Sequence, residues 1–364
     1  MNARIAALIF TLITGAGAAQ RPPLTTVMYM TNRPTAIASF LEHWNGVSII
    51  APQCFAMDAQ GFVAGEVPPA VLETARQHRI AIMPLVTNKG FNQPLVHSVL
   101  DSPEARARAI RYLIYYALRD GYIGIQFDYE NIKYTYRDRF SDFFHQAAVE
   151  FHKRGLLLTA AVVGKYSDDR NAESPGGYDD WSGVYDYPRL ARDADFLSIM
   201  AYPQHGAFSS PGPLAGLPWV RQIVAFTRSQ MPLGKISLGV PLYGFHWVTD
   251  PSAKRTGRSS VYKDTAAILA QNRAEWREEE QAYRTVFDDS AGRHEVWYED
   301  ARSVGAKLQL AASERLAGIS AWALGQEDPG VWEALARDYR IVRPRTRIPK
   351  GTFAERSKGA ARRL

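Results

Sequence analysis

One cysteine in 364 residues, Cys54, leaves the chain without an internal disulfide or a thiolate metal cluster. It falls in a strand-like run and reads as a small core residue. The 8 histidines never adopt the His-Glu-x-x-His spacing of a helical zinc site. No Gly-x-Gly-x-x-Gly follows the first strand-like run, and neither a phosphate loop nor a Gly-x-Ser-x-Gly elbow occurs. Hydrolysis without a cofactor or metal is the economical reading of what remains. Internal repeats and low-complexity segments are also missing, as is any appended binding module. The apolar run Ile5–Thr14 is too short to span a bilayer. Arg4 before it and the small residues Gly15–Ala19 after it give the order of a secretory signal. Residues 1–19 are therefore expected to be removed and the rest exported, to the periplasm or the extracellular space; a retained N-terminal anchor is the alternative.

Positive charge is plentiful but badly distributed. The formal net charge is +6, yet residues 343–364 alone hold 8 basic side chains against Glu355. The body before them is nearly neutral, so no nucleic-acid surface is expected there. With Pro344, Pro349, Gly351 and Gly359, this tail reads as flexible, either solvated or held near an anionic cell-wall or membrane surface. The whole chain is 46% hydrophobic and 12% aromatic, enough to bury a large core. Many flat rings suit a sugar cleft, although aromatic residues are more often simply core.

Short β-rich runs alternate with amphipathic stretches, the α/β pattern of a parallel sheet. Eight strands are predicted, at Thr26–Met30, Gly46–Ala51, Ile80–Val86, Gly124–Glu130, Leu156–Val163, Phe196–Tyr202, Ile236–Pro241 and Gly318–Leu324. Helical stretches such as Pro103–Arg119, Tyr136–Arg154, Trp219–Gln230 and Glu299–Arg315 lie between them. Eight β/α units favour a closed (β/α)8 TIM barrel over residues 20–342 rather than an open doubly wound sheet. The connection after strand seven, about 248–298, is long enough for a small inserted subdomain before the seventh helix.

The most informative stretch is Gly124-Ile125-Gln126-Phe127-Asp128-Tyr129-Glu130. On a strand, Gln126, Asp128 and Glu130 share one face and Ile125, Phe127 and Tyr129 the other. That delivers an acid to the strand tip with a second acid behind it, an arrangement for protonating a leaving group. The blander alternative is a helix cap or a surface ion pair.

This segment resembles the strand-four signature of glycoside hydrolase family 18, in which aspartates spaced two apart lead to a catalytic glutamate. The resemblance runs from about Thr25 to Trp332 and is closest to the spore-cortex and cell-wall N-acetylglucosaminidases, with chitobiase a more distant cousin. It implies a (β/α)8 barrel with an α+β insertion forming one wall of the cleft. By that resemblance Glu130 is the general acid and base, and the nucleophile is the carbonyl oxygen of the substrate's own N-acetyl group. Asp128 would orient the acetamido N–H and raise the pKa of Glu130, with Gln126 supporting Asp128. Met200-Ala201-Tyr202 resembles the family's Met-x-Tyr element, so Tyr202 would donate to the acetamido oxygen. Trp322 would floor the reacting sugar's subsite and Tyr243, in Leu238–Gly244, would wall it. Met200, Gln204, Gln53, Asn88 and Tyr29 complete the candidate substrate contacts. The pattern departs from the family at Ile123 and Gln126, where acids are common, and at Pro203, where many chitinases carry aspartate.

The expectation is therefore a monomeric, exported retaining glycosidase of GlcNAc-containing polysaccharides or oligosaccharides, with peptidoglycan favoured over chitin. Two rivals remain: a non-catalytic lectin on the same barrel, and a wall-anchored adaptor using the basic tail.

Overall fold

The computed structural model describes residues 21–172, 176–252, 254–344 and 353–362. The expected signal segment, residues 1–19, lies outside them. Eight parallel strands form a closed barrel: β1 (Thr26–Met30), β2 (Ile49–Met57), β3 (Leu85–Asn88), β4 (Gly124–Asp128), β5 (Leu157–Val163), β6 (Leu197–Met200), β7 (Ile236–Pro241) and β8 (Gly318–Trp322). Neighbours in sequence are neighbours in the sheet, and β8 closes on β1 through Ile319↔Thr26 and Ala321↔Met28. All eight predicted strands are present, with shifted ends. β2 starts later and runs to Met57, because Trp44–Gly46 forms a 3-10 turn. β4 ends at Asp128, so Glu130 stands beyond the ladder rather than in it.

The helices begin and end where sequence chemistry requires. Proline occupies one of the first two helical positions in α1 (Pro34–His43), α2 (Pro69–Gln77), α3 (Gln93–Asp101), α4 (Pro103–Asp120), α6 (Tyr187–Asp193) and α7 (Leu217–Gln230). There the missing N–H costs nothing and the fixed φ suits the helix. Ser102 caps α4 by accepting from the Ala105 N–H, and Gly121 ends it in the left-handed conformation at φ +77. The remaining barrel helices are α5 (Arg137–His152), α9 (Ala301–Ser313) and α10 (Gly330–Asp338).

Two cores result from the alternation along each strand. Outward side chains meet the helices: the Phe127 ring lies 5.3 Å from Phe143 and 5.6 Å from Phe144 of α5, centroid to centroid. Inside the barrel, Val27, Ile49, Ala81, Met83 and Ile123 form a smaller apolar plug. Above it sits a buried polar layer of Gln126, Ser198, Ser237 and Ser320, and above that open the loops that carry the site. Gly239 lets β7 approach β6, since a Cβ there would stand 2.3 Å from the Ile199 carbonyl oxygen.

The insertion after β7 begins at Gly244, slightly earlier than the predicted 248. It is a five-stranded antiparallel sheet running to Tyr298 with one helix, α8 (Tyr262–Leu269). The basic segment expected to be flexible contains a helix, α11 (Phe353–Arg362), which packs against α4. No helix among the described residues is long and apolar enough to cross a membrane.

Candidate active site

Glu130 and Asp128 sit at the C-terminal mouth of the barrel, where connecting loops rather than core packing decide which groups meet. Asp128 is buried and is the last residue of β4; Glu130 follows two residues later, half-buried. Burial raises the pKa of Asp128, while a hydrogen bond of 2.9 Å from Gln53 Nε2 to its Oδ2 pulls it back. Burial likewise raises Glu130 well above the usual carboxylate range, and the Asp128 charge adds to the effect. No cation offsets either acid in that balance, so a proton is held on the pair at pH values where an exposed carboxyl would have lost it.

Three tyrosines surround the acids. Tyr202, just past β6, has its hydroxyl pKa raised by burial and then by Tyr29, Tyr243, Asp128 and Glu130, which places all five groups around one space. Tyr243 follows β7, and its pKa is raised by burial, then by Glu299 and Glu130. Tyr185, which the sequence did not single out, donates its hydroxyl to the Tyr129 carbonyl at 2.8 Å, between the two acids. Its own pKa is raised by burial, then by Glu130 and Asp128. Nothing in Val184-Tyr185-Asp186 distinguishes it as a sequence, because its partner is a backbone oxygen just past the end of β4.

Trp322 ends β8 and joins Tyr202 against an apolar cluster of Phe245, Trp247 and Trp297 from the insertion and Leu214 and Tyr243 from the barrel's own loops. Its carbonyl accepts from the Leu242 N–H at 2.7 Å. Both Tyr202–Pro203 and Trp322–Ala323 are cis peptides. Tyr29 lies beneath Trp322, ring centroids 5.8 Å apart, fully buried with its hydroxyl facing Ser198, Ser320 and Gln126. It supports the floor rather than lining the open cleft.

Several predicted contacts are placed differently from the expectation. Gln126 does not support Asp128: its Nε2 donates to Ser198 Oγ at 3.0 Å in the buried layer below, and Gln53 supplies the partner instead. Asn88 is buried with both amide hydrogens committed, to the Glu130 carbonyl at 2.9 Å and the Asn92 carbonyl at 3.3 Å. Gln204 turns back to accept from the Gly216 N–H at 2.9 Å, bracing the loop after β6. Met200 is half-buried at the end of β6, and its carbonyl accepts from Gly164 N–H. These are residues whose side chains the register brings to the barrel mouth but whose polar atoms the loops then claim.

Two aromatic side chains without a predicted role stand exposed on loops of the same barrel face. Trp181 lies in the β5–α6 connection and Phe208 in the β6–α7 connection, the latter fully solvated. Cys54 packs partly buried against the outer core, and burial raises its thiol pKa. Among the described residues, no three His, Cys, Asp or Glu side chains gather to hold a metal.

This geometry of a raised-pKa acid, a buried aspartate, a tyrosine and a tryptophan at a barrel mouth agrees with the wider comparison. The sequence matches the Glycosyl hydrolases family 18 profile over residues 38–327. The chain belongs to glycoside hydrolase family 18. It is 27% identical to the uncharacterized glycosylase YvbX of Bacillus subtilis (strain 168), over 86% of this chain and 90% of that protein. It is 28% identical to the cortical fragment-lytic enzyme of the same organism, over 75% of this chain and 63% of that enzyme. The crystal structure of a chitinase from Chromobacterium violaceum ATCC 12472 superposes with a TM-score of 0.77 at 25% identity, covering 86% of this chain and 98% of the chitinase. The protein is thus a family 18 glycosidase on a (β/α)8 barrel.

Proposed function

We propose that the enzyme hydrolyses β-linked N-acetylglucosaminides with retention of configuration, and that its substrate is a GlcNAc polymer, peptidoglycan before chitin. The observation that carries the reading is the acid pair at the end of β4: burial, and then the Asp128 charge, raises Glu130 well above the usual carboxylate range and so favours its protonated form, and Asp128 is the last residue of the strand behind it. Glu130 donates that proton to the glycosidic oxygen as the bond to C1 breaks. The carbonyl oxygen of the 2-acetamido group closes onto C1, and the acetamido N–H is held by Asp128. Tyr202 donates to the acetamido oxygen as charge develops, a contribution of the oxyanion-hole kind. Trp322 carries the apolar face of the distorted sugar. Glu130, now a carboxylate, takes a proton from the water that opens the cyclic intermediate, which restores the enzyme and leaves the product's anomeric configuration unchanged.

The preference for a wall polymer rests on similarity to a cortical fragment-lytic enzyme over three quarters of the chain. Exposed Trp181 and Phe208 offer stacking faces on the loops beside the site, which suits a chain of sugars over a single one. Export belongs to the same proposal: the signal-like segment 1–19 would be removed and the basic C-terminal segment would favour an anionic surface. N-terminal sequencing of the mature protein tests the first part.

The deciding measurement is saccharide release from purified peptidoglycan and from chitin oligomers by the wild type and by Glu130→Gln. Cleavage by the wild type alone supports the assignment, and the preferred polymer sets the substrate. Binding without cleavage by both proteins would instead establish a lectin.

A further inference from the structure

The β3–β4 ladder ends at Thr87↔Asp128, two residues short of Glu130. Beyond that point the Glu130 backbone has no strand to pair with, although a backbone N–H and C=O in a buried setting both require partners. The side chain of Asn88, the residue that ends β3, supplies them together. Its Oδ1 accepts from the Glu130 N–H at 3.0 Å, and its Nδ2 donates to the Glu130 carbonyl at 2.9 Å. A carboxamide is chemically a peptide group, so one more rung is added to the ladder by a side chain. The second hydrogen on Nδ2 goes to the Asn92 carbonyl at 3.3 Å. No donor is left over for a ligand.

Residues on either side of Glu130 are tied down as well. The Tyr129 carbonyl accepts from the Tyr185 hydroxyl at 2.8 Å. Asn131, in the left-handed region at φ +55, donates to the Phe91 carbonyl at 3.0 Å and accepts from Gln93 Nε2 at 3.2 Å. Gln93 in turn donates to Asp180 Oδ1 at 3.0 Å, linking the turn to the β5–α6 connection. The turn from Asn88 to Gln93 therefore grips the strand extension at two successive residues, and Asn88 is the member that holds the acid's own backbone.

We propose that Asn88 is a positioning residue for the general acid, setting where the Glu130 carboxyl meets the glycosidic oxygen rather than touching substrate. The proposal rests on the assignment of Glu130 as that acid. A donor and an acceptor are needed together at this length of side chain. An ionised aspartate offers only acceptors and would face the Glu130 and Asn92 carbonyls with negative charge, and alanine offers neither group. Misplacing a reacting group by about 1 Å is enough to cost on the order of 100-fold in rate.

The test compares two substrates built on the same GlcNAc chain. One has a sugar leaving group, which must be protonated as it departs; the other has a nitrophenol, which departs without help. Steady-state kinetics are measured for the wild type, Asn88→Ala, Asn88→Asp and Glu130→Gln, with thermal unfolding of each. A misplaced acid lowers kcat/KM for the sugar leaving group by about 100-fold in Asn88→Ala but kcat/KM for the aryl substrate by less than about 5-fold, because kcat/KM reports the step in which the leaving group departs and not the later one in which Glu130 acts as base. Turnover by Asn88→Asp recovers as the pH is lowered, because a protonated carboxyl regains a donor for the Glu130 carbonyl. Equal losses of kcat/KM on both substrates, or an unchanged kcat/KM for the sugar leaving group, overturn the proposal. Should Asn88→Ala fail to fold, the pH profile of Asn88→Asp decides: a loss independent of pH counts against positioning. Glu130→Gln separates the two claims. If it cleaves the sugar leaving group as fast as the wild type, the acid assignment itself falls; if it is silent while Asn88→Ala matches the wild type, only the positioning role falls.

Discussion

Two pairs of buried charged residues in this protein have opposite designs. At the barrel mouth, Asp128 and Glu130 are like charges held together, and burial raises the pKa of both. At the start of α9, Glu299 is fully buried against Lys307, with Oε2 2.7 Å from Nζ, and Lys307 also donates to the Ser303 carbonyl. Burial still raises the Glu299 pKa, but the Lys307 charge and hydrogen bond pull it back. The α9 pair meets its charges inside the fold. The barrel-mouth pair has no such compensation, and in the proposed mechanism what is destabilising for the fold becomes the acid's function. The two are neighbours through Tyr243, whose hydroxyl feels both Glu299 and Glu130 and whose carbonyl accepts from the Glu299 N–H at 3.3 Å.

Removing one member of each pair should expose the contrast. The largest effect belongs to Glu130→Gln, expected to reduce kcat on GlcNAc oligosaccharides by roughly 100- to 10,000-fold, the usual contribution of a general acid. The measurement is initial-rate product release, with folding checked by circular dichroism. Lys307→Met breaks the other pair and leaves Glu299 unpaired, which costs roughly 3–5 kcal/mol in urea unfolding. Replacing Glu299 with leucine in that same variant should recover much of the loss, since a packed apolar pair is often as stable as a buried ion pair.

A pH series sharpens the comparison further. A carboxyl whose pKa is raised in the folded state contributes stability at low pH and loses it as the pH rises through the folded value. Glu130→Gln should therefore be more stable than the wild type at neutral pH and equal to it below about pH 4, where the acid is protonated in both folded and unfolded chains. Paired thermal melts across that range check the sign; a wild type more stable than the variant at neutral pH would contradict it.

The smallest expected effect lies in the insertion. His246 Nε2 and His294 Nδ1 are 2.8 Å apart, and His294 Nε2 lies 2.8 Å from Asp289 Oδ1. Burial lowers His246 to about 4, helped by His294 and Arg258 and opposed by Asp289. Stability from the neutral ring is complete above the unfolded value of about 6.5 and lost as the pH falls toward the folded one. Protection factors for amide exchange in 244–249 and 292–298, taken relative to the slower intrinsic exchange at low pH, should fall between pH 7 and pH 5 while those of the barrel strands do not. His246→Gln should remove that dependence.

The strand reading of 124–130 survives in its essentials, because alternation of Ile125 and Phe127 with Gln126 and Asp128 is a direct imprint of one face packed on helices and one turned into the barrel. It misplaced the strand end by two residues, since a ladder stops where its neighbour stops, and β3 stops at Asn88. The same limit explains Gln126 and Gln53. Both were assigned to the site by position, but which amide meets Asp128 depends on β2 bulging between Gln53 and Phe55 and on Ser198 standing across the barrel.

By itself the sequence determined the eight-unit barrel, the existence of an insertion after β7, and the placing of two acids at the end of one barrel strand, because each is written in local periodicity or in residue types at fixed spacing. Tertiary structure alone decided that Asn88 pairs with the Glu130 backbone, that Tyr185 anchors Tyr129, and that Glu299 finds Lys307 inside the fold. Those partners lie on different β/α units or across a helix from one another, and hydrogen bonds between them depend on distances that closure of the barrel sets.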